Sequence, residues 1–148
     1  MSCFVFTIDG QLYALPVALV NETLPMAWVA RVAESPPDVY GLLDVRGSVL
    51  TVVDPAHRLG APIREVTPSD FLLLAQSGTG PIALRVETLV GLLDGPLEAA
   101  PASAEGPPYV LGLMRNAEAL VTVLDLDRFL RPEVRAFSER QRNEARPL

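Results

Sequence analysis

Residues 41–54 read Gly-Leu-Leu-Asp-Val-Arg-Gly-Ser-Val-Leu-Thr-Val-Val-Asp, and residues 112–125 read Gly-Leu-Met-Arg-Asn-Ala-Glu-Ala-Leu-Val-Thr-Val-Leu-Asp. The two stretches align without a gap at an offset of 71 residues, with the same amino acid at five positions. Each combines an apolar segment, a turn and a hydrophobic strand that ends in Asp, which predicts a β-hairpin. The alternative, that two hydrophobic hairpins resemble each other by chance, is disfavoured by the gapless spacing.

A second repeated pair precedes the first. Tyr13–Val17 resembles Ile82–Val86, and each follows a strand that begins with Phe. The order of the repeats predicts two similar halves, residues 1–66 and 67–131, that meet near residue 67. A half of about 70 residues is marginally stable alone. We therefore expect two small barrels that share one core within a single domain, residues 1–148.

The rest of the chain is typical of an all-β protein with short helices. Phe4–Ile8 and Leu12–Leu15 flank an Asp-Gly pair, which is a strong signal for a tight hairpin turn. Short strands separated by Pro and Gly favour a barrel or sandwich over alternating βαβ units. The C-terminal residues 132–146 predict a helix, and Leu97–Pro108, rich in Pro and Ala, predicts a loop.

Composition excludes several classes of function. The net charge is −6 and the 12 basic residues are all Arg, whereas nucleic-acid binding requires a positive face. The longest apolar runs, Met26–Ala30 and Phe71–Ala75, are far shorter than the roughly 20 residues that a membrane-spanning helix needs. The N-terminus has no signal-peptide pattern, so we expect a cytoplasmic protein without direct membrane insertion.

No group of residues predicts catalysis or metal binding. His57 is the only histidine and lies outside any nucleophile motif, and the single cysteine cannot build a metal site. Asp54 and Asp125 follow equivalent strands, which indicates turn or helix-cap roles. We predict no enzyme activity, no cofactor and no metal. Trp28 is expected in the core or in a covering loop.

The repeated hairpin, in its sequence context, resembles the CheW-like family of bacterial chemotaxis coupling proteins. The family pattern is a Gly flanked by aliphatic residues, an Arg-Gly turn, a hydrophobic strand and an Asp. The segments that carry the resemblance span nearly the whole chain and are Phe4–Leu15, Val20–Glu22, Val39–Asp54, Leu84–Leu89 and Val110–Leu130.

This resemblance implies two five-stranded SH3-like barrels around a shared core, and an adaptor without catalysis. It implies that the protein couples chemoreceptors to a histidine kinase in a signalling array. The implied partners are the cytoplasmic tip of a chemoreceptor, bound between the barrels, and the regulatory domain of the histidine kinase CheA, bound at barrel ends. Contact with the membrane would then be indirect, through the receptors.

Matching positions imply which residues bind. Val20, Gly41 and Arg46 are placed at the receptor-binding surface, with Leu73 and Ala83 as contacts from the second half. Glu22 matches the family's acid in either a binding or a structural role. Asp44 stands where the family commonly has Asn, so an ion pair between Asp44 and Arg46 would withdraw that guanidinium from a partner.

Two other functions stay open from the sequence. One is a divergent member of the family that serves motility or another chemosensory pathway and binds a receptor without contacting a kinase. The other is a small β-barrel that binds a small ligand or acts as an enzyme subunit, and the lack of a catalytic group of residues in the sequence disfavours it.

Overall fold

The computed structural model describes residues 1–99 and 107–144. Most of the predicted loop, residues 100–106, lies outside the described residues, as do the last two residues of the predicted helix. The described chain forms ten strands: β1 Ser2–Ile8, β2 Gln11–Pro16, β3 Val20–Pro25, β4 Val39–Val45, β5 Ser48–Val53, β6 Phe71–Ser77, β7 Gly80–Val86, β8 Thr88–Asp94, β9 Val110–Asn116 and β10 Ala119–Leu124. A one-turn 3-10 helix, Val17–Leu19, and three α-helices join them: α1 Ala56–Leu59, α2 Leu126–Phe129 and α3 Pro132–Glu144.

The strands form two five-stranded sheets, which confirms the predicted fold class. Sheet A has the order β8-β1-β2-β10-β9 and sheet B has the order β3-β6-β7-β5-β4. Each sheet therefore takes strands from both halves of the sequence, so the expectation that residues 1–66 and 67–131 each form one barrel is wrong. Two parallel pairs join strands from different halves: β2 pairs with β10, and β5 pairs with β7.

The internal repeat is visible in the strand boundaries. The hairpin β4–β5 and the hairpin β9–β10 begin and end at positions 71 residues apart. Their closing hydrogen bonds also match, with Asp54 N donating to Asp38 O at 2.8 Å and Asp125 N donating to Tyr109 O at 2.7 Å. The two sheets thus have the same topology, related by duplication and exchange.

Alternation along the strands divides the apolar side chains among three clusters. One lies within sheet A and contains Cys3, Val5, Ala14, Met114, Val121 and Val123. A second lies within sheet B and contains Val29, Leu43, Leu50, Val52, Leu72, Leu74 and Ala83. The largest draws on both sheets and on α2 and α3, with Phe6, Leu73, Phe129 and Phe137 among its members. This third cluster is the shared core that the repeat predicted.

Sheet B also encloses a buried ionic cluster. The side chain of Arg85, 1% exposed, lies 3.0 Å from Asp54 and 3.4 Å from Asp70. Arg64, from the segment that connects the halves, donates to Asp70 at 2.9 Å and to Glu87 at 2.8 Å. The connecting segment is thereby tied to the ends of β6 and β7.

Candidate functional site

The turn between β4 and β5 displays Arg46. Arg46 has φ 50° and Gly47 has φ 88°, the pair of left-handed conformations that a two-residue hairpin turn requires. The carboxylate of Asp44 accepts a hydrogen bond from Gly47 N at 2.9 Å and closes the turn. Asp44 is therefore occupied by the backbone, and the pairing of Asp44 with Arg46 that the sequence left open is not formed.

Arg46 pairs instead with Glu22 on β3. The register of β3 against β6 shifts between Val20 and Glu22, so that Asn21 is an extra residue in β3. Such a bulge redirects side chains, and here Glu22 pairs with the turn. The side chain of Arg46 is still 71% exposed, so it keeps donors free for a partner.

A depression of about 320 Å³ lies beside this ion pair. Its lining consists of Asn21, Glu22, Val45, Arg46, Ser48, Leu50, Leu74 and Pro81. Leu50 and Leu74 are each 4% exposed and belong to the core of sheet B. The depression, called the Arg46 groove below, therefore joins a polar rim to apolar side chains, which is the usual anatomy of a protein-binding surface.

The structure separates the residues that the resemblance placed at the receptor surface. Arg46 lines the groove, and the half-buried Val20 is the residue before Asn21 in β3. Leu73 and Ala83 are both 0% exposed: Leu73 lies in the shared core and Ala83 in the core of sheet B. The prediction that Leu73 and Ala83 contact a partner directly is therefore wrong, because both side chains are fully buried.

Gly41 has a packing role away from the groove. A Cβ at Gly41 would overlap the carbonyl oxygen of Ala30 and lie 2.7 Å from Cγ1 of Val29. The segment that joins β3 to β4, called the crossing segment below, passes over Gly41 and is hydrogen-bonded to β4. Ala30 N donates to Leu42 O at 2.9 Å, and Leu42 N donates to Ala30 O at 2.8 Å. Gly41 permits this approach because it has no Cβ.

A second surface was missed by the sequence analysis. Trp28 lies in the loop between β3 and β4, the second of its two expected places, and its side chain is 84% exposed rather than in the core. It borders an apolar depression of about 380 Å³ together with Ala30, Leu42, Leu43, Asp44 and Val49. Exposed Trp beside aliphatic side chains is typical of protein interfaces.

The two acids that follow the repeated strands, Asp54 and Asp125, have structural partners. Asp125 caps α2 by accepting a hydrogen bond from Arg128 N at 3.4 Å, and Asp54 accepts from Ala56 N at 3.1 Å and pairs with Arg85. Burial raises the pKa of the Cys3 thiol, which favours its unreactive protonated form. Over residues 1–99 and 107–144, no cluster of three His, Cys, Asp or Glu side chains could hold a metal.

Comparison with known proteins agrees with this arrangement. The family model for the CheW-like domain matches residues 2–134. The chain is 24% identical over 127 residues to the chemotaxis protein CheW of Rhizobium meliloti (strain 1021), covering 82% of each protein. It is 23% identical over 138 residues to the chemotaxis protein CheW of Klebsiella aerogenes, covering 90% of this chain and 83% of that one.

A solved structure has the same fold. The crystal structure of the scaffolding protein TtCheW from Thermoanaerobacter tengcongensis superposes with a TM-score of 0.79 at 18% sequence identity, covering 90% of this chain and 89% of the other. The fold and the family match define a scaffold of chemotaxis signalling, a class of adaptor that is not enzymatic. The chain belongs to the family of CheW-like domains. Within the described residues, the helices are too short or too polar to cross a membrane.

Proposed function

We propose that this protein couples chemoreceptors to a histidine kinase, with the receptor tip bound at the Arg46 groove. The observation that carries the proposal is the display of Arg46 on a left-handed turn beside an apolar floor. The cytoplasmic tip of a receptor is helical, and a helix binds a groove by placing an apolar stripe on such a floor. Arg46 and Glu22 supply charged contacts at the edge of that stripe.

The partly exposed ion pair suits this role. Arg46 can keep one contact with Glu22 and donate its other N–H groups to an acid or a carbonyl of the receptor helix. Since exposed ion pairs contribute little to stability, exchange of partners at this position costs the fold little. Val20, next to the groove, adds aliphatic surface on the side of β3.

The Trp28 depression is the second part of the proposal. A regulatory domain of the kinase CheA would dock there, because Trp28 and its aliphatic neighbours form an apolar surface large enough for an inserted side chain. The two surfaces share the β4–β5 hairpin, which contributes Arg46 to one and Leu42 to the other. Binding at both makes the protein a bridge between receptor and kinase.

The test is a pairwise binding measurement with a receptor cytoplasmic fragment and a CheA regulatory domain from the same genome. Arg46→Glu is expected to weaken receptor binding by about tenfold or more, since it places a like charge against Glu22 and against an acidic partner group. The matched control is Arg115→Glu, because Arg115 is 67% exposed and also forms a surface ion pair, with Glu98 at 2.9 Å.

The wild-type protein is expected to bind both partners. Binding to neither would overturn the proposed function. Binding to the receptor fragment alone would favour the divergent adaptor without kinase contact. Equal loss of receptor binding in Arg46→Glu and Arg115→Glu would move the receptor surface away from the Arg46 groove.

A further inference from the structure

One wall of the Arg46 groove is built by the turn between β6 and β7. Pro81, the second residue of β7, lines the groove directly. The residue before it, Gly80, has φ 118°, a conformation that side chains rarely adopt. The position of this wall therefore depends on what holds the turn in place.

Asp127 in α2 makes the first contact with this turn. Its Oδ1 accepts a hydrogen bond from Gly78 N at 2.6 Å, across 49 residues of sequence. A hydrogen bond to a carboxylate is among the stronger kinds that proteins form. The contact connects the start of the C-terminal helical segment to the groove wall.

Arg142 in the last turn of α3 makes the second contact. Its guanidinium lies so close to Gly80 that a Cβ there would overlap it. Nη1 of Arg142 is also 3.5 Å from Oγ of Ser138, which is 2% exposed, so the side chain is steadied from its own helix. α3 itself is anchored by Val134 and Phe137 in the shared core.

The equivalent turn in the other sheet lacks this second contact. Between β1 and β2, Gly10 N donates to Glu87 Oε1 at 3.3 Å, which parallels the bond from Gly78 to Asp127. A Cβ at Gly10, however, would meet no atom within 4 Å, whereas Gly80 is covered by Arg142. The two carboxylates occupy different places in the repeat, because Glu87 follows β7 whereas Asp127 lies in α2. Of the two turns, the β6–β7 turn is the one that a side chain of α3 also covers.

We infer that Asp127 and Arg142 are positioning residues for the Arg46 groove: α2 and α3 hold the β6–β7 turn, and through Pro81 they set the width of the groove. This inference rests on the proposed function, because it assigns to the C-terminal helices a part in receptor affinity. Neither residue lines the groove, so each acts through the turn that it holds.

The test compares Asp127→Ala and Arg142→Ala with the control Arg140→Ala, which removes an exposed Arg from the same helix. The probe is the cytoplasmic tip fragment of a chemoreceptor. Asp127→Ala is expected to bind it about fivefold more weakly, the effect of one lost hydrogen bond. Arg142→Ala is expected to weaken binding by a similar factor, because the turn loses the side chain that covers Gly80. Arg140→Ala is expected to bind like the wild type, and Arg142→Lys and Asp127→Glu are expected to recover part of the affinity.

A second measurement uses the free protein, with thermal unfolding as a check of folding. The amide resonances of Gly78 and Gly80 are expected to shift in Arg142→Ala and in Asp127→Ala, and to stay in place in Arg140→Ala. Failure of the wild type to bind the fragment overturns the proposed function and the inference with it. If the wild type binds and the two variants match Arg140→Ala in affinity or in amide resonances, only the inference is overturned.

Discussion

Gly41 and Gly112 occupy the same position in the two sheets, and each lies against the backbone carbonyl of a segment that crosses its strand. A Cβ at Gly41 would overlap the oxygen of Ala30, and a Cβ at Gly112 would lie 2.6 Å from the oxygen of Glu98. In each case the same residue of the crossing segment forms a β-bridge to the residue after the glycine: Ala30 pairs with Leu42, and Glu98 pairs with Leu113. The duplicated chain has therefore kept the same close approach twice.

Replacing either glycine by alanine is expected to destabilise the fold by about 1–3 kcal/mol, because the added methyl group must push a backbone segment away. The measurement is the free energy of unfolding from urea titration of Gly41→Ala and Gly112→Ala. Gly95→Ala is the control, since its Cβ would make only an ordinary 3.6 Å contact with Met114. Similar stability of all three variants would contradict the prediction.

Stability is expected to fall in acid because of the carboxylates around Arg64. Burial on its own would raise the pKa of Asp70 and of Glu87, but hydrogen bonds from Arg64 outweigh it and lower both pKa values below their ordinary range. A lowered folded-state pKa stabilises the protein above the ordinary carboxyl pKa of about 4, and the stabilisation is lost as the pH falls through the folded value.

The free energy of unfolding should therefore be level between about pH 7 and pH 5 and fall below about pH 4. Urea titrations at several pH values measure this dependence. In Arg64→Met the pKa values of Asp70 and Glu87 should return towards their ordinary range. The free energy of unfolding of this variant should therefore decrease less steeply in acid than that of the wild type. An equally steep decrease in the variant would show that other carboxylates are responsible.

Arg85 is expected to be the most costly arginine to remove. Its side chain is 1% exposed and pairs with Asp54 and with Asp70, itself 3% exposed. Breaking a buried ion pair leaves an uncompensated charge and typically costs about 3–5 kcal/mol. Unfolding of Arg85→Ala measures the cost, with Arg115→Ala as a surface control expected to lose at most about 1 kcal/mol. Comparable losses in the two variants would rule the prediction out.

Trp28→Ala is expected to separate kinase binding from folding. Trp28 is 84% exposed, so its removal should change the free energy of unfolding by less than about 0.5 kcal/mol. Binding of a CheA regulatory domain should weaken by about tenfold or more, while receptor binding at the Arg46 groove stays unchanged. Ile63→Ala, at a 72% exposed apolar residue away from this depression, is the control. Unchanged kinase binding would remove the Trp28 depression from the proposed function.

Much of the fold was predictable because strands leave local signals. Asp-Gly and Arg-Gly turns and runs of β-branched residues located most strands, and the repeat of residues 41–54 at 112–125 identified the second copy of one hairpin. The segments that became β3 and β8 were not located from their own patterns. Both lie at sheet edges, where a strand pairs on one side and fewer of its residues are buried.

The site was less predictable, because a hydrophobic residue looks the same in a sequence whether it lies in a core or on an interface. Leu73 was assigned to an interface but lies in the core, and the place in the core that was left open for Trp28 is excluded by its exposure. Arg46 was identified correctly as a displayed side chain because its turn is local, but its partner Glu22 lies 24 residues away. Pairing over that distance depends on the register of β3 against β6.

The sequence by itself determined that the protein is duplicated, β-rich and built around a shared core, because turns and alternation act between neighbours in the chain. Only the tertiary structure decided which strands share a sheet, which apolar residues reach the surface and which carboxylate meets each arginine. The physical reason is that two similar halves offer equivalent edges for pairing. The choice between pairing within a half and exchanging strands rests on packing across the whole molecule, and no local stretch records it.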